Sequence, residues 1–152
     1  MKLPKSNFPS IEHIVAASAE SVRPPERMSV SEAGAKYHMV NNPGSYVGPF
    51  SLDKAPYLIE PMDEMQSLDL RAVVFVGPAR TGKSAMLINW LCHTAICDPA
   101  DMLVVHMTQS TARDWSQADL DKAVRNSPEL KARMVPGRQN DNVHDKSFLS
   151  GM

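Results

Sequence analysis

The chain has 152 residues, 43% hydrophobic and 22% charged, with a formal net charge of −1. That length fits one domain with a real core, and the near-neutral balance excludes a global basic field for nucleic acid while leaving room for a local basic patch. No apolar run approaches the roughly 18 residues that a membrane span needs, and Met1-Lys2-Leu3-Pro4-Lys5 has no apolar signal core behind it, which argues against secretion.

Residues 1–10, with Pro4 and Pro9, read as a loose lead-in. Ser10 can cap a helix over Ile11–Val22, where Ile11, Ile14, Val15 and Val22 fall near helical spacing, and Arg23-Pro24-Pro25 ends it. Ser29-Val30-Ser31-Glu32 has capping-box spacing and predicts a second short helix through Tyr37. Asn41-Asn42-Pro43-Gly44 is a turn, and Ser45 to Ala55 reads as extended loop. Pro56 suits the first turn of a helix through Met65, in which Pro61 sits awkwardly.

Ala72-Val73-Val74-Phe75-Val76 is a short apolar, β-branched run that reads as a buried parallel strand. A helix is expected from Lys83 to about Cys97, with Met86, Leu87, Trp90, Leu91 and Thr94 on one face and Asp98-Pro99 stopping it. The two cysteines, Cys92 and Cys97, both fall on this helix. Their spacing puts them well round it from each other, so buried thiols are expected rather than a disulfide. With His93 they offer no closed metal set. Met102 to Met107 is a second apolar run, expected to lie parallel to the first in a βαβ unit. A helix follows with Trp115, Leu120 and Val124 inward, and Ser127-Pro128 opens a last short one. From Pro136 onward the chain is polar.

Between the first apolar run and its helix lies Gly77-Pro78-Ala79-Arg80-Thr81-Gly82-Lys83-Ser84, the G-x-x-x-x-G-K-S pattern of a P-loop, or Walker A motif, with every fixed position filled. Glycines at 77 and 82 let the backbone turn where a Cβ would clash. Loop N–H groups and the start of the helix then offer donors and a favourable dipole to phosphate oxygens. Lys83 is placed to reach the β- and γ-phosphates of ATP, and the Ser84 hydroxyl to ligate Mg²⁺. The fold expected is α/β: a P-loop NTPase with a parallel sheet flanked by helices, incomplete, behind a helical lead-in. Residues 1–54 form that lead-in and residues 55–152 a partial ATPase domain.

The segments around the loop resemble the ATPase region of large terminase subunits of tailed phages, the lambda-type family. Ala55 to Asp63 looks like the family's segment ahead of the first ATPase strand, and Val73-Val74-Phe75 leads into the loop as it does there. Met86 to Trp90, Asp98-Pro99 with Met102 to Val105, Ala112 to Ser116, Ser127 to Leu130 and Lys146 to Gly151 extend the likeness in order. It covers most of residues 29–151. The loop carries the standard Gly82-Lys83-Ser84 where some members have a deviant one.

The resemblance implies ATP-driven translocation of double-stranded viral DNA into a procapsid in the host cytoplasm. The motor would be a ring of like subunits on the portal, with a small terminase subunit and a separate nuclease domain that cuts DNA. It also implies that Arg80, in the loop, touches the γ-phosphate from within the same subunit; a solvent-facing loop arginine is the other reading. Tyr46, Phe50 and Tyr57 are open to adenine stacking or to packing. Thr108 and Gln109 are open to ligand sensing or to a capped helix start. Arg113, Lys122, Arg125, Lys131 and Arg133 could meet DNA phosphates, but their acidic neighbours favour a solvated mixed face. No apolar strand ends in acidic residues: Met102 to Met107 runs into Thr108, and Asp119 and Asp121 lie in a polar helical pattern. The metal-holding aspartate, the water-activating glutamate and the nuclease are expected beyond this chain, which reads as an N-terminal piece. Another P-loop motor such as a helicase, or a non-hydrolysing nucleotide-binding or assembly module, are the competing functions.

Overall fold

The computed structural model describes residues 10–21, 24–137 and 139–151. Residues 1–9 of the lead-in read for 1–10, and Val22 and Arg23 at the end of the first helix, lie outside these residues. Helix α1 (Ile11–Ser21) opens on Ser10, whose Oγ accepts the His13 N–H at 3.3 Å. Helix α2 (Val30–Tyr37) carries the capping box expected of Ser29 and Glu32. The Ser29 hydroxyl accepts the Glu32 N–H at 3.4 Å, and the Glu32 carboxylate accepts the Ser29 N–H at 3.0 Å. Two orphan donors of the first turn are thereby satisfied.

Strands β1 (Met39–Asn42) and β2 (Tyr46–Pro49) form an antiparallel hairpin, with Met39 opposite Pro49 and Asn42 opposite Tyr46. The turn read at Asn41 to Gly44 is present, with Gly44 in the left-handed region at φ +85°. The following stretch, read as extended loop, instead returns as β2. Strands of four residues are too short for alternation to announce them. Two 3₁₀ turns, Leu52–Lys54 and Pro56–Leu58, precede α3 (Ile59–Glu64). Pro61 is accommodated in the first turn of α3, where its missing N–H would have had no helical partner.

Helix α4 (Lys83–Ile96) is the axis of the molecule. One side packs Ile88, Leu91, Cys92, Ala95 and Ile96 into a core shared with α2 and with the later helices α6 (Asp121–Asn126) and α7 (Pro128–Ala132). The other side places Met86 among Val30, Phe50, Leu58 and Met62. Full burial of side chains such as Leu58, Met62 and Leu130 contributes about 1.5–3 kcal/mol each. With cores on both sides, α4 is buried more widely than the predicted face: Ile88, Cys92 and Ala95 are inside, while Leu87 is exposed and Trp90 half-buried. Cys92 and Cys97 are free, buried thiols, and burial pushes Cys92 up to about 12.

Helix α5 (Gln109–Trp115) runs through a π turn, Ser116–Leu120, into α6. Leu120 and Val124 are buried as expected, and Trp115 packs half-buried against the same core. Ser127 stands at the start of α7, with Pro128 in the first turn, but its hydroxyl does not cap. It accepts the Met39 N–H at 3.0 Å and so ties β1 to the helices. The chain end is pinned by Phe148 in the core and by Lys146, whose ammonium lies 2.6 Å from both Asp121 and Asp141.

The parallel sheet expected of residues 72–76 and 102–107 is not formed among the described residues. Neither run is a strand; beyond the hairpin, the pairing consists of the isolated antiparallel bridges Met134–Phe148 and Asp141–Lys146. Val74 is 83% and Val76 89% exposed, and Leu103 and Met107 are 87% and 100% exposed. Trp90 and Leu91, expected on that sheet, pack among helices and loop residues instead. The first run and the Lys83–Trp90 side of α4 together line a cavity of about 490 Å³. The physical reason is pairing: an extended segment satisfies its N–H and C=O groups only through a neighbouring strand or water.

Candidate functional site

The loop before α4 is shaped by two glycines acting differently. A Cβ on Gly77 would meet Thr81 Oγ1 at 3.1 Å and the Phe75 ring at 3.4 Å, a tight fit that needs those side chains to give by a few tenths of an ångström. Gly82 has φ +83°, and a Cβ on it would also stand 2.7 Å from Leu58 Cδ1. Leu58, fully buried, is thus the wedge against which the helix start is seated. The Gly82 carbonyl accepts the first helical bond, from Met86 at 2.9 Å. The N–H groups of the first turn have no intrahelical partner, and the positive end of a 14-residue helix lies there.

Lys83 folds back over the loop. Its ammonium donates to the Gly77 carbonyl at 2.9 Å, to the Pro78 carbonyl at 2.5 Å and to Thr81 Oγ1 at 3.2 Å. Thr81 Oγ1 in turn donates to the Pro78 carbonyl at 2.9 Å. The Tyr57 hydroxyl donates to the Thr81 carbonyl at 3.2 Å, linking the turn before α3 to the loop. Gly77, Pro78, Thr81 and Lys83 therefore form one bonded unit. Ala79 and Arg80 are exposed at its tip, and Arg80 alone among the described non-glycine residues has positive φ, +64°. Ser84 is exposed and lines a cavity of about 150 Å³ together with His38, Asn42, Asp119 and Lys122.

The three aromatic candidates separate clearly. Tyr46 is engaged in the hairpin, its hydroxyl donating to the Pro49 carbonyl at 2.6 Å and its ring 3.2 Å from the Lys54 ammonium. Phe50 is in the core beneath His38. Tyr57 is the one that reaches the loop. Thr108 is a helix cap, accepting the Thr111 N–H at 3.2 Å, and Gln109 begins the helix it caps. Lys122 donates to Asn42 at 3.0 Å. Asp121 pairs with Lys146, and Asp119 is exposed as its polar surroundings predict.

Two residues beside the site escaped the sequence. His38 and Asn89 are buried and joined, His38 Nδ1 to Asn89 Oδ1, at 2.6 Å. Asn89 gave one legible signal, an amide inside the apolar run Met86-Leu87-Ile88-Asn89-Trp90. His38 gave none.

A glycine-rich loop that opens a buried helix through a left-handed glycine, with a lysine folded over it, defines a candidate phosphate-binding loop protein. Residues 44–152 match the family described as phage terminase large subunit gpA, ATPase domain, and the chain belongs to that family. Comparisons with curated proteins and with solved structures return no match. The family implies a P-loop fold, nucleotide binding with Mg²⁺ as the usual companion ion, and a part in phage DNA packaging. No helix among the described residues is long and apolar enough to cross a membrane.

Proposed function

We propose that residues 77–84 bind ATP·Mg²⁺ and that the chain is the ATP-binding part of a terminase motor that hydrolyses ATP to move double-stranded DNA into a procapsid. The observation that carries this is the join between loop and helix: Gly82 at φ +83° opens α4, whose first-turn N–H groups have no intrahelical partner, and the Lys83 ammonium lies back over the same loop at the Gly77 carbonyl. The residues suit the ligand. Both glycine positions are spaces a Cβ would fill, and Lys83 offers a cation. Ser84 offers an exposed hydroxyl for the metal, which when bound offsets phosphate charge. Lys83 holds the β- and γ-phosphates, and Arg80 supplies a second cation to charge developing on the γ-phosphate. Residues 55–152 are the ATPase part and residues 1–54 its lead-in. In this reading the motor works in the host cytoplasm as a ring on the portal with a small terminase subunit, and a nuclease activity belongs to the same large subunit.

Calorimetric titration of the folded chain with ATP·Mg²⁺ tests this. Lys83→Ala is expected to weaken binding at least tenfold, on the order of 1.4 kcal/mol. Equal affinities in the two proteins would overturn the assignment.

A further inference from the structure

Asn89 sits on α4 with no exposed surface, where an aliphatic side chain would be the ordinary choice. A buried amide is tolerated only when its polar atoms are satisfied. Here Oδ1 meets His38 Nδ1 at 2.6 Å, and Nδ2 donates to Met62 Sδ at 3.3 Å. Because an amide oxygen only accepts, His38 Nδ1 carries the proton.

The amide is also seated by shape. A Cβ on Gly34 would stand 2.6 Å from Asn89 Cγ, so glycine is what lets α2 lie against α4 at this point. The His38 N–H donates to the Gly34 carbonyl at 3.0 Å, and the His38 ring stacks on Phe50 at 6.0 Å with a 10° interplanar angle. Nearby, the Asp63 carboxylate accepts both the N–H and the hydroxyl of Ser31, at 3.0 and 3.1 Å, which locks α2 to α3. Gly34 and His38 thus grip one amide of α4 from a segment that ends before the family match begins at residue 44. His38 then reappears in the small cavity that Ser84 lines.

We propose that His38 and Asn89 are a positioning pair for the nucleotide site: they fix the seat of α4, and with it Lys83 and Ser84, so that residues 30–42 are a working part of the ATP-binding unit. This rests on the nucleotide-site reading above. The lever is short. Asn89 lies roughly 9 Å along the helix from Lys83 at about 1.5 Å per residue, so a tilt of about 6° displaces the loop end by about 1 Å. A displacement of about 1 Å costs on the order of 10²-fold where geometry governs a reaction. A hydrogen bond sets an angle that packing of methyl groups leaves loose.

The test uses the whole chain and a non-hydrolysable ATP analogue with Mg²⁺. In the wild-type protein the His38 imidazole resonances, assigned with His38→Gln, are expected to shift on saturation, while those of His13 in α1 stay. His38→Leu and Asn89→Leu are each expected to weaken binding about tenfold, the double variant no further, and His38→Gln, which still presents an N–H to Asn89, to recover most of it. Binding by wild type but not by Lys83→Ala, together with full affinity in His38→Leu and an unmoved imidazole, overturns the inference and leaves the site standing. No difference between wild type and Lys83→Ala overturns the site itself, and the inference with it. If the leucine variants do not fold, the wild-type imidazole shift decides alone.

Discussion

Arg80 separates a backbone role from a side-chain role in one substitution series. It holds φ +64° at the exposed tip of the loop, a conformation that costs a non-glycine residue roughly 1–2 kcal/mol. Glycine would relieve that cost but lose about 0.4–1 kcal/mol through the entropy of the unfolded chain. Arg80→Gly should therefore leave stability unchanged or raise it by no more than about 1.6 kcal/mol. Arg80→Ala keeps the strained conformation and removes the guanidinium. If that group meets the γ-phosphate, a charged hydrogen bond of about 1.5–3 kcal/mol is at stake. Solvent at this exposed site screens part of it, leaving about a tenfold preference for ATP over ADP to be lost. Isothermal titration with ATP and with ADP, for Arg80, Arg80→Gly, Arg80→Ala and Arg80→Lys, measures it directly. Both truncations should bind ATP and ADP more nearly alike, with lysine intermediate. An undiminished ATP preference in Arg80→Gly would refute the side-chain role and leave Arg80 a solvent-facing residue in a glycine-like position.

Gly82→Ala combines a left-handed φ with a Cβ 2.7 Å from Leu58 Cδ1, so it should destabilise the fold by about 2–4 kcal/mol, read from urea midpoints; a change under about 0.5 kcal/mol would deny that Leu58 seats the helix start. Burial holds the His38 imidazole below its ordinary pKa, against the opposing pull of Asn89, while Asp119 and Lys122, of opposite charge, line the same cavity. The unfolded chain then binds more protons than the folded one from about pH 6.5 down to the folded value, so stability present above about pH 6.5 is lost as pH falls through that window. His38→Gln should show a shallower loss on acidification than wild type, and identical pH slopes would exclude the effect. Phosphate release at saturating ATP·Mg²⁺ should be slow. The hydrogen-bonded loop supplies an ammonium, hydroxyls and carbonyls, and general-base assistance is worth about 10²–10⁴-fold. Rapid release abolished by Lys83→Ala would place the catalytic carboxylate within residues 1–152.

Helices were legible wherever a local rule decides them. Ser29 with Glu32 wrote α2, Gly82 and Asp98-Pro99 bracketed α4, and Thr108 started α5. The hairpin was half legible: Pro43-Gly44 marked the turn, but four-residue strands leave no period to read. The runs at 72–76 and 102–107 are unpaired among the described residues, because β-branched composition reports a preference for extended backbone, whereas strand pairing depends on a neighbour elsewhere in the chain. Within the loop, the turn at Gly77 to Gly82 ahead of a helix from Lys83 was legible because the fixed spacing of the pattern encodes it. Arg80's positive φ was not, since arginine carries no such preference, and His38 was not, since its role exists only once α2 meets Asn89.

The resting state of Lys83 bears on how the site would work. Its ammonium is held by the carbonyls of Gly77 and Pro78 and the Thr81 hydroxyl, and the Tyr57 hydroxyl steadies the Thr81 carbonyl from outside. An arriving phosphate brings a full negative charge where the present acceptors are neutral dipoles, so ion–ion attraction to the ammonium favours exchange toward the ligand. The two carbonyls are then released toward solvent, which the exposed loop tip permits. Only Lys83 and the loop between Pro78 and Thr81 need to move. The helix start cannot follow easily, because Gly82 is wedged on Leu58 and α4 is gripped at Asn89. In the proposed site the fixed helix end would offer donors already in place, and Lys83 would be the one charge that exchanges loop acceptors for the ligand.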